Sequence, residues 1–217
     1  MDRSRLAAVI PCHNEVATLG PVVRRALDFA TVLVVDDRST DGSAELARSL
    51  GAEALPSARP GYDGALDTGL RTALERGFPF VVTLDADGEH DPGRLVDFVR
   101  LFEAGESLVC GVRPSPQRAA EHLAAWAGRG LLGIDDLLCG MKGYARPVLE
   151  SYAASGAPLL VNMAPAVLWR RAGGKAANLP IDGERRVGRP RFGRALKANW
   201  AILQALSAVL KLRPASA

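Results

Sequence analysis

Short apolar runs that stop at loops rich in Asp, Asn or Pro, each followed by a stretch of helical periodicity, constrain this chain more than any other feature. Leu6 to Ile10 is such a run, ended by Pro11, and Val32 to Val35 is another, ended by Asp36-Asp37. Continuous apolar runs of this length, the second of them β-branched, suit parallel strands buried on both faces. Between them Leu19, Val22, Val23, Ala26 and Leu27 recur at helical spacing, with Thr18 as a candidate N-cap and Pro21 in the first turn, so the segment reads as a βαβ unit.

The alternation continues. Asp41 or Ser43 can cap a helix running through Leu50 and stopped by Gly51, and Ala65 to Glu75 is helical with Gly77 beyond it. Phe80 to Leu84 is the next strand. Asp91-Pro92 places an N-cap before a proline at the first helical position, ahead of the stripe Leu95, Val96, Val99 and Phe102, and Leu108 to Cys110 is a further strand. Beyond Gly111 the pattern loosens: helices are expected over Arg118 to Arg129, Val161 to Arg171 and Ala195 to Leu212, a Gly-rich stretch over Gly140 to Tyr144, and a short strand over Lys175 to Ile181. The expected fold class is α/β, a mostly parallel Rossmann-like sheet with helices on both faces.

At 217 residues with 48% hydrophobic and 24% charged side chains, the chain can bury a core without disulfides or a structural metal, and collagenous and disordered classes are excluded. Cys12, Cys110 and Cys139 form no Cys-x-x-Cys pair, which argues against a disulfide framework or a zinc site and for small buried residues in a reducing compartment. The N-terminal apolar run is too short for a signal peptide, and no run approaches a membrane span. Charge is uneven: residues 170–217 carry 11 Lys and Arg against 2 Asp and Glu, whereas residues 1–169 carry 16 against 22. A basic end of this kind suits an anionic partner, or is simply a solvated face.

In an open parallel sheet, ligands bind beyond the carboxyl ends of the strands, where helix N-termini and βα loops converge. The residues placed there are His13, Asn14 and Glu15 after the first strand, Asp36, Asp37, Ser39, Thr40 and Asp41 after the second, and Asp85, Asp87, Glu89, His90 and Asp91 after the strand ending at Leu84. So many carboxylates at one edge repel one another unless a cation sits among them, and Asp85-Ala86-Asp87 has the chemistry for Mg²⁺ or Mn²⁺ carrying phosphate oxygens. An Asp-x-Asp triplet alone is ordinary turn chemistry; three acidic or Asn-bearing loops on one edge are not. Asp91 reads as a helix cap, and His13 and His90 as loop histidines without ligand partners. An acidic edge and 6% aromatic residues argue against nucleic acid as a partner.

Several segments together resemble family 2 glycosyltransferases of GT-A fold, with polyprenyl (dolichyl) phosphate mannose and glucose synthases as the nearest likeness. These are Val9-Ile-Pro-Cys-His-Asn-Glu15, Val34-Val-Asp-Asp-Arg-Ser-Thr-Asp-Gly-Ser43, Gly64-Ala65 with Gly69, and Leu84-Asp-Ala-Asp-Gly-Glu-His-Asp-Pro92. Gly111-Val-Arg113, Asp136-Leu-Leu-Cys-Gly-Met-Lys142 and Arg185-x-x-Gly188-x-Pro190-Arg191-Phe192 extend the likeness, which covers about residues 5–195.

The resemblance implies a metal-dependent glycosyltransferase that moves a sugar from a nucleotide diphosphate sugar to a polyprenyl phosphate. Pro11, Asn14, Glu15, Asp36 and Asp37 would face the nucleoside. Asp85 and Asp87 would be the Asp-x-Asp motif, with Asp87 the direct metal ligand, and Glu89, which stands where these synthases usually have Gln, can join them on the ion. Arg113, Arg118, Arg185 and Arg191 match or lie near the family's basic residues for the acceptor phosphate and leaving group. Val112, Met141 and Pro190-Arg191 depart from the pattern on the acceptor side. Residues 1–193 would form the transferase domain, and 194–217 an amphipathic helix and tail of the same unit. The protein would be cytoplasmic, peripheral on the inner face of a membrane, with the basic loop and the Trp200 helix near anionic lipid; packing of that helix on the sheet is the plainer alternative.

A phosphate acceptor is already ionised and needs no general base, whereas a soluble hydroxyl acceptor would need one, for which Asp136 is the candidate; a carboxylate that merely orders its loop is the alternative for that residue. A sugar-1-phosphate nucleotidylyltransferase would open on a Gly-rich phosphate loop, which Pro11-Cys-His-Asn-Glu15 is not; a non-catalytic nucleotide-sugar-binding protein is the remaining alternative, against which Asp85 and Asp87 speak.

Overall fold

A computed structural model describes residues 3–114, 119–156, 160–181 and 195–212, with backbone alone for residues 195–198. In chain order the elements are β1 (Leu6–Cys12), α1 (Val16–Leu27), β2 (Thr31–Asp36), α2 (Ser43–Ser49), β3 (Glu53–Pro56), α3 (Tyr62–Glu75), β4 (Phe80–Thr83), α4 (Leu95–Glu103), β5 (Leu108–Val112), α5 (Ala119–Leu132), β6 (Lys142–Ala145), α6 (Arg146–Ser155), α7 (Ala164–Arg171), β7 (Ala177–Pro180) and α8 (Ala195–Val209).

The strands form one sheet in the order β3-β2-β1-β4-β6-β5-β7. All neighbours pair in parallel except β6, which runs antiparallel to both β4 and β5. Strand residues alternate between two cores, as period-2 side chains must. Ala7, Val9, Leu33, Val35, Val81, Leu108 and Cys110 pack under α3, α5, α6, α7 and α8, while Leu6, Ala8, Ile10, Val32, Val34, Val82 and Val109 pack under α1, α2 and α4. The mostly parallel sheet covered on both faces is therefore the architecture expected from the sequence.

Helix α1 starts two residues before Thr18, at Val16, so Thr18 is no N-cap; its hydroxyl instead donates to the Glu15 carbonyl. Val16 N–H is met by Asp41 Oδ2 at 3.0 Å, and Asp41 Oδ1 accepts the backbone N–H and hydroxyl of Ser43. One carboxylate thus caps the starts of both α1 and α2, with hydrogen bonds that outweigh burial and hold its pKa below the ordinary value. Strands β3 and β6 and helix α6 are not announced by the sequence pattern. In β6, Gly143 is required by packing, because a Cβ there would fall 2.5 Å from the Phe98 ring. Where β4 and β6 diverge, Thr83 Oγ1 donates to the Gly140 carbonyl at 2.6 Å and accepts Lys142 N–H at 3.2 Å. The last β6 residues and the first β4 residues hold together while the chain beyond them opens into the site.

Candidate active site

The loops after β1 and β2 are sewn to each other. Asn14 takes a left-handed backbone (φ 55°), which Asn tolerates better than most residues, and its N–H donates to Ser39 Oγ while its Oδ1 accepts Thr40 N–H at 2.8 Å. His13 Nδ1–H donates to the Asp37 carbonyl at 2.6 Å, leaving Nε2 to accept from Asn14 Nδ2 at 3.2 Å. Asp36 accepts Ser39 N–H, and Asp37 Oδ2 accepts Gly61 N–H at 2.7 Å, which ties the start of α3 to the same edge. Together these elements line a cleft of about 270 Å³ walled by Pro11, His13, Glu15, Asp37, Tyr62 and Ala65. Pro11, Glu15 and Asp37 of the expected nucleoside set thus share one cleft, while Asn14 and Asp36 brace its loops.

Gly64 and Gly69 let α3 press onto this edge. A Cβ at Gly64 would lie 2.1 Å from the Arg59 carbonyl oxygen, and one at Gly69 would lie 2.3 Å from Val9 Cγ1. Buried Asp67 in the same helix receives Arg59, Arg71 and the Tyr152 hydroxyl, pinning α3 to the loop before it and to α6.

Beside the cleft, Asp85, Asp87 and Glu89 bring one carboxylate oxygen each to within 4.8 Å of one another. Asp87 is buried, and its Oδ1 accepts Glu89 N–H at 3.1 Å, so the turn itself aims the second carboxylate. Asp85 Oδ1 accepts the Tyr62 hydroxyl at 3.0 Å, which ties the acidic loop to the cleft wall. A Cβ at Gly140 would occupy the space of the Asp85 carboxyl, at 2.2 Å from Oδ2. His90, only 2% exposed, places Nδ1 3.9 Å from Asp85 Oδ2 with no hydrogen-bond partner, and Nε2 3.7 Å from Cys139 Sγ. An all-oxygen set, a cradle that admits no side chain at 140 and an orphaned nitrogen beside it fit a hard divalent cation such as Mg²⁺ or Mn²⁺. Asp91 caps the following turn by accepting Gly93 N–H at 2.8 Å.

On the far side of that cluster stands Arg113. Its Nε and Nη2 hold Asp136 in a two-pronged pair at 2.8 and 3.1 Å, Nη1 lies 3.8 Å from Glu89 Oε1, and Nη2 lies 3.9 Å from Glu121 Oε2. Burial disfavours the guanidinium charge, but the bond and charge of Asp136 more than offset it and raise the Arg113 pKa. Asp136 also accepts the N–H groups of Arg113, Leu138 and Cys139. Burial pushes its pKa up, the Arg113 contacts pull harder, and the carboxyl ends below its ordinary value. Lys142, fully buried, donates to Asn162 Oδ1 at 3.0 Å and to the Cys139 carbonyl, and burial lowers its pKa.

The three cysteines are free and buried, and burial pushes Cys12 and Cys110 up to about 11 and Cys139 up to about 12, far from thiolate chemistry. Arg118, Arg185 and Arg191 lie outside the described residues. Tyr62 and Glu121 belong to the site without any signal for them in the sequence; His90, expected as a loop histidine, is instead buried against Asp85, and Gly140, met only inside a longer motif, makes room for the same carboxyl. Tyr62 comes after the unread strand β3, and Glu121 lies on the inner face of a helix whose orientation periodicity alone leaves open.

Comparison with known proteins agrees with this geometry. The family model for glycosyl transferase family 2 matches residues 7–124. Over 171 residues the chain is 34% identical to an undecaprenyl-phosphate mannosyltransferase of Micrococcus luteus, covering 68% of this chain and 69% of that protein. It is 32% identical over 172 residues to the polyprenol monophosphomannose synthase of Mycolicibacterium smegmatis, covering 67% and 63% of the two chains. Among solved structures it resembles glucosyl-3-phosphoglycerate synthase of Mycobacterium tuberculosis, crystallised with Mn²⁺, UDP and glucosyl-3-phosphoglycerate, with a TM-score of 0.76 at 22% identity over 94% of this chain and 78% of that one. The acidic triad at the sheet edge, the cleft beside it and the family match over residues 7–124 have one common account, that this chain belongs to glycosyltransferase family 2.

Proposed function

We propose that the protein transfers a sugar from a nucleotide diphosphate sugar to a polyprenyl phosphate, using Mg²⁺ or Mn²⁺ held by Asp85, Asp87 and Glu89. The observation that carries the reading is the adjacency of two opposite charges: an oxygen cluster suited to a cation on the diphosphate, and the Arg113 guanidinium, 3.8 Å beyond Glu89, as the cation for an acceptor phosphate. The bound cation would offset charge on the departing diphosphate, which is the main electrostatic demand of the reaction. Residues of the chain do the rest. Tyr62 holds Asp85 in place, the Asn14 and Asp37 contacts keep the nucleoside cleft open, and Arg113 draws the acceptor phosphate toward the sugar carbon.

No general base is assigned. A phosphate monoester is ionised at neutral pH, and Asp136, with three backbone N–H groups and a guanidinium on its carboxylate, serves to aim Arg113. The relatives named for undecaprenyl phosphate and polyprenol substrates support a lipid acceptor over a soluble one.

A lipid acceptor requires a membrane surface, and α5 supplies a face for one. Its inward residues are mostly small, with Ala120, Ala124, Ala127 and Gly128 buried, while Leu123, Trp126 and Leu131 point outward, Trp126 being 74% exposed. Helix α8 packs on α5 through the core residues Leu206 and Val209 and leaves Trp200 64% exposed, so that side chain is not packed on the sheet. The exposed residues of α5 include His122 and Arg129 and no acid. Exposed Trp and Leu on a face without an exposed acid match the apolar side of a membrane interface, and Arg129 on the same face pairs with Asp135 at 2.8 Å. Among the described residues no helix is long and apolar enough to cross a membrane.

Transfer of radiolabelled sugar from a panel of UDP- and GDP-sugars into an organic phase containing polyprenyl phosphate tests the reading. Label is expected with wild type plus Mg²⁺ or Mn²⁺ and not with Asp87→Ala. Metal- and Asp87-dependent donor hydrolysis without label in the organic phase would move the acceptor to soluble molecules, and no reaction with any donor would favour a binding protein.

A further inference from the structure

Glu89 belongs to two groups at once. One oxygen lies in the acidic cluster with Asp85 and Asp87, and the side chain also stands 3.8 Å from Arg113 Nη1. Arg113 is surrounded by three carboxylates: Asp136 takes Nε and Nη2, Glu121 approaches Nη2, and Glu89 faces Nη1. A guanidinium so enclosed is a poor phosphate receptor, since an arriving anion meets more negative charge than positive. The two partners other than Glu89 are built in. Asp136 is locked by backbone N–H groups, and Glu121 is buried on the inner face of α5. Glu89 sits on the acidic turn itself, and it has a second claimant, a cation.

We infer that Glu89 couples the two halves of the site: cation binding at Asp85, Asp87 and Glu89 draws the Glu89 carboxylate away from Arg113 Nη1 and so opens Arg113 to the phosphate of the acceptor. The inference rests on the proposed reading of Arg113 as an acceptor-phosphate residue. Glutamate is required for the effect, because a glutamine at 89 could still offer a carbonyl oxygen to a metal but would leave Arg113 with one carboxylate fewer whether or not metal is bound. Linkage makes the coupling reciprocal: the acceptor phosphate tightens the cation by the factor that the cation tightens the acceptor.

The test observes the Arg113 side chain directly. In ¹H–¹⁵N spectra of the full chain, with the Arg113 Nε–H signal assigned through Arg113→Lys, titration with Mg²⁺ alone should move that signal in wild type. In Glu89→Gln, Mg²⁺ should shift the backbone amides of residues 85–89 and leave the Arg113 signal in place. An equal Arg113 shift in both proteins, or none in wild type when those amides move, overturns the inference. A second titration uses geranyl phosphate as a short soluble prenyl phosphate. Saturating Mg²⁺ should tighten its binding to wild type at least fivefold, about the lower end of usual coupling. Glu89→Gln should bind it more tightly than wild type without metal and gain twofold or less from Mg²⁺. Equal gains in the two proteins would assign the effect to direct attraction between metal and phosphate and overturn the inference alone. Failure of geranyl phosphate to bind either protein with or without Mg²⁺ would overturn the acceptor reading instead, and the Arg113 shift would still decide the coupling.

Discussion

Gly140 and Asp85 share one volume: the place a Cβ would take at 140 lies 2.2 Å from Asp85 Oδ2 and 2.8 Å from its Cγ. Asp85 cannot yield freely, because the Tyr62 hydroxyl holds its other oxygen at 3.0 Å. Gly140→Ala should therefore turn the Asp85 carboxyl out of the cluster. Overpacking of this kind costs about 1–3 kcal/mol. The expected result is a protein that still folds, with Mn²⁺ affinity down by about tenfold or more, read by electron paramagnetic resonance titration beside a denaturant curve. Wild-type Mn²⁺ affinity in the variant would refute the assignment of Asp85 to the cation site.

Tyr62→Phe removes only the hydroxyl that steadies Asp85 and leaves the ring at the cleft wall. One hydrogen bond to a charged acceptor is worth about 1.5–3 kcal/mol. The loss should fall on the ligands, as a roughly tenfold rise in donor KM and a weaker response to metal, with stability changed by less than about 1 kcal/mol because Tyr62 lies at a cleft rim. A stability loss as large as the donor effect would make Tyr62 a packing residue.

These two residues mark where sequence reading stops. The carboxylates were legible because β1, β2 and β4 are continuous apolar runs, and in an open sheet the loop at the carboxyl end of such a run lies at the ligand edge. Strand β3, Glu53-Ala-Leu-Pro56, is short, half-exposed and at the sheet edge, so it carries no such signature, and Tyr62 after it went unplaced. Strand β6, Lys142-Gly-Tyr-Ala145, contains a lysine and a glycine that oppose a strand reading, and each is accommodated by a contact far along the chain: Asn162, beside the nearby Cys139 carbonyl, with Lys142, and Phe98 with Gly143. Helix α6 likewise opens on Arg146-Pro147 with little apolar stripe to announce it. The Arg113 surroundings gather residues 89, 121 and 136, and no local pattern encodes that meeting.

Asp136 predicts a signed dependence on pH. Its pKa is lowered in the folded chain, so the stabilisation is complete above the ordinary carboxylate pKa of about 3.9 and is lost as pH falls through the depressed folded value. Removing one partner of a largely buried pair costs about 3–5 kcal/mol, the upper part of the range for measured substitutions. Asp136→Asn should thus unfold at lower temperature than wild type by a constant margin between pH 6 and 8, and the margin should shrink below about pH 4. Thermal melts across that range check it, and a margin that grows on acidification would mean that Asp136 is protonated in the native protein.

The outward face of α5 makes the last prediction, and its logic is one of inversion. A helix that only packs on a domain puts its large apolar residues inward. Here Leu132 is the one large apolar residue of α5 that is buried, Ala120, Ala124, Ala127 and Gly128 fill the rest of the inner face with Glu121, and Leu123, Trp126 and Leu131 are outside. Glu121 on the inner face of the same helix lies 3.9 Å from Arg113, so a bilayer touching the outer face would bring its phosphates near the acceptor side of the site. Burying a Leu or similar side chain fully is worth about 1.5–3 kcal/mol, and each 1.4 kcal/mol is a factor of ten in partition. Leu123→Ser with Trp126→Ser should lower binding to phosphatidylglycerol vesicles by about tenfold or more, measured by cosedimentation, while circular dichroism and Mn²⁺ affinity stay at wild-type values. Vesicle binding unchanged by the double substitution, together with a monomer–dimer equilibrium that the substitution abolishes, would identify the face as a contact between copies of the chain.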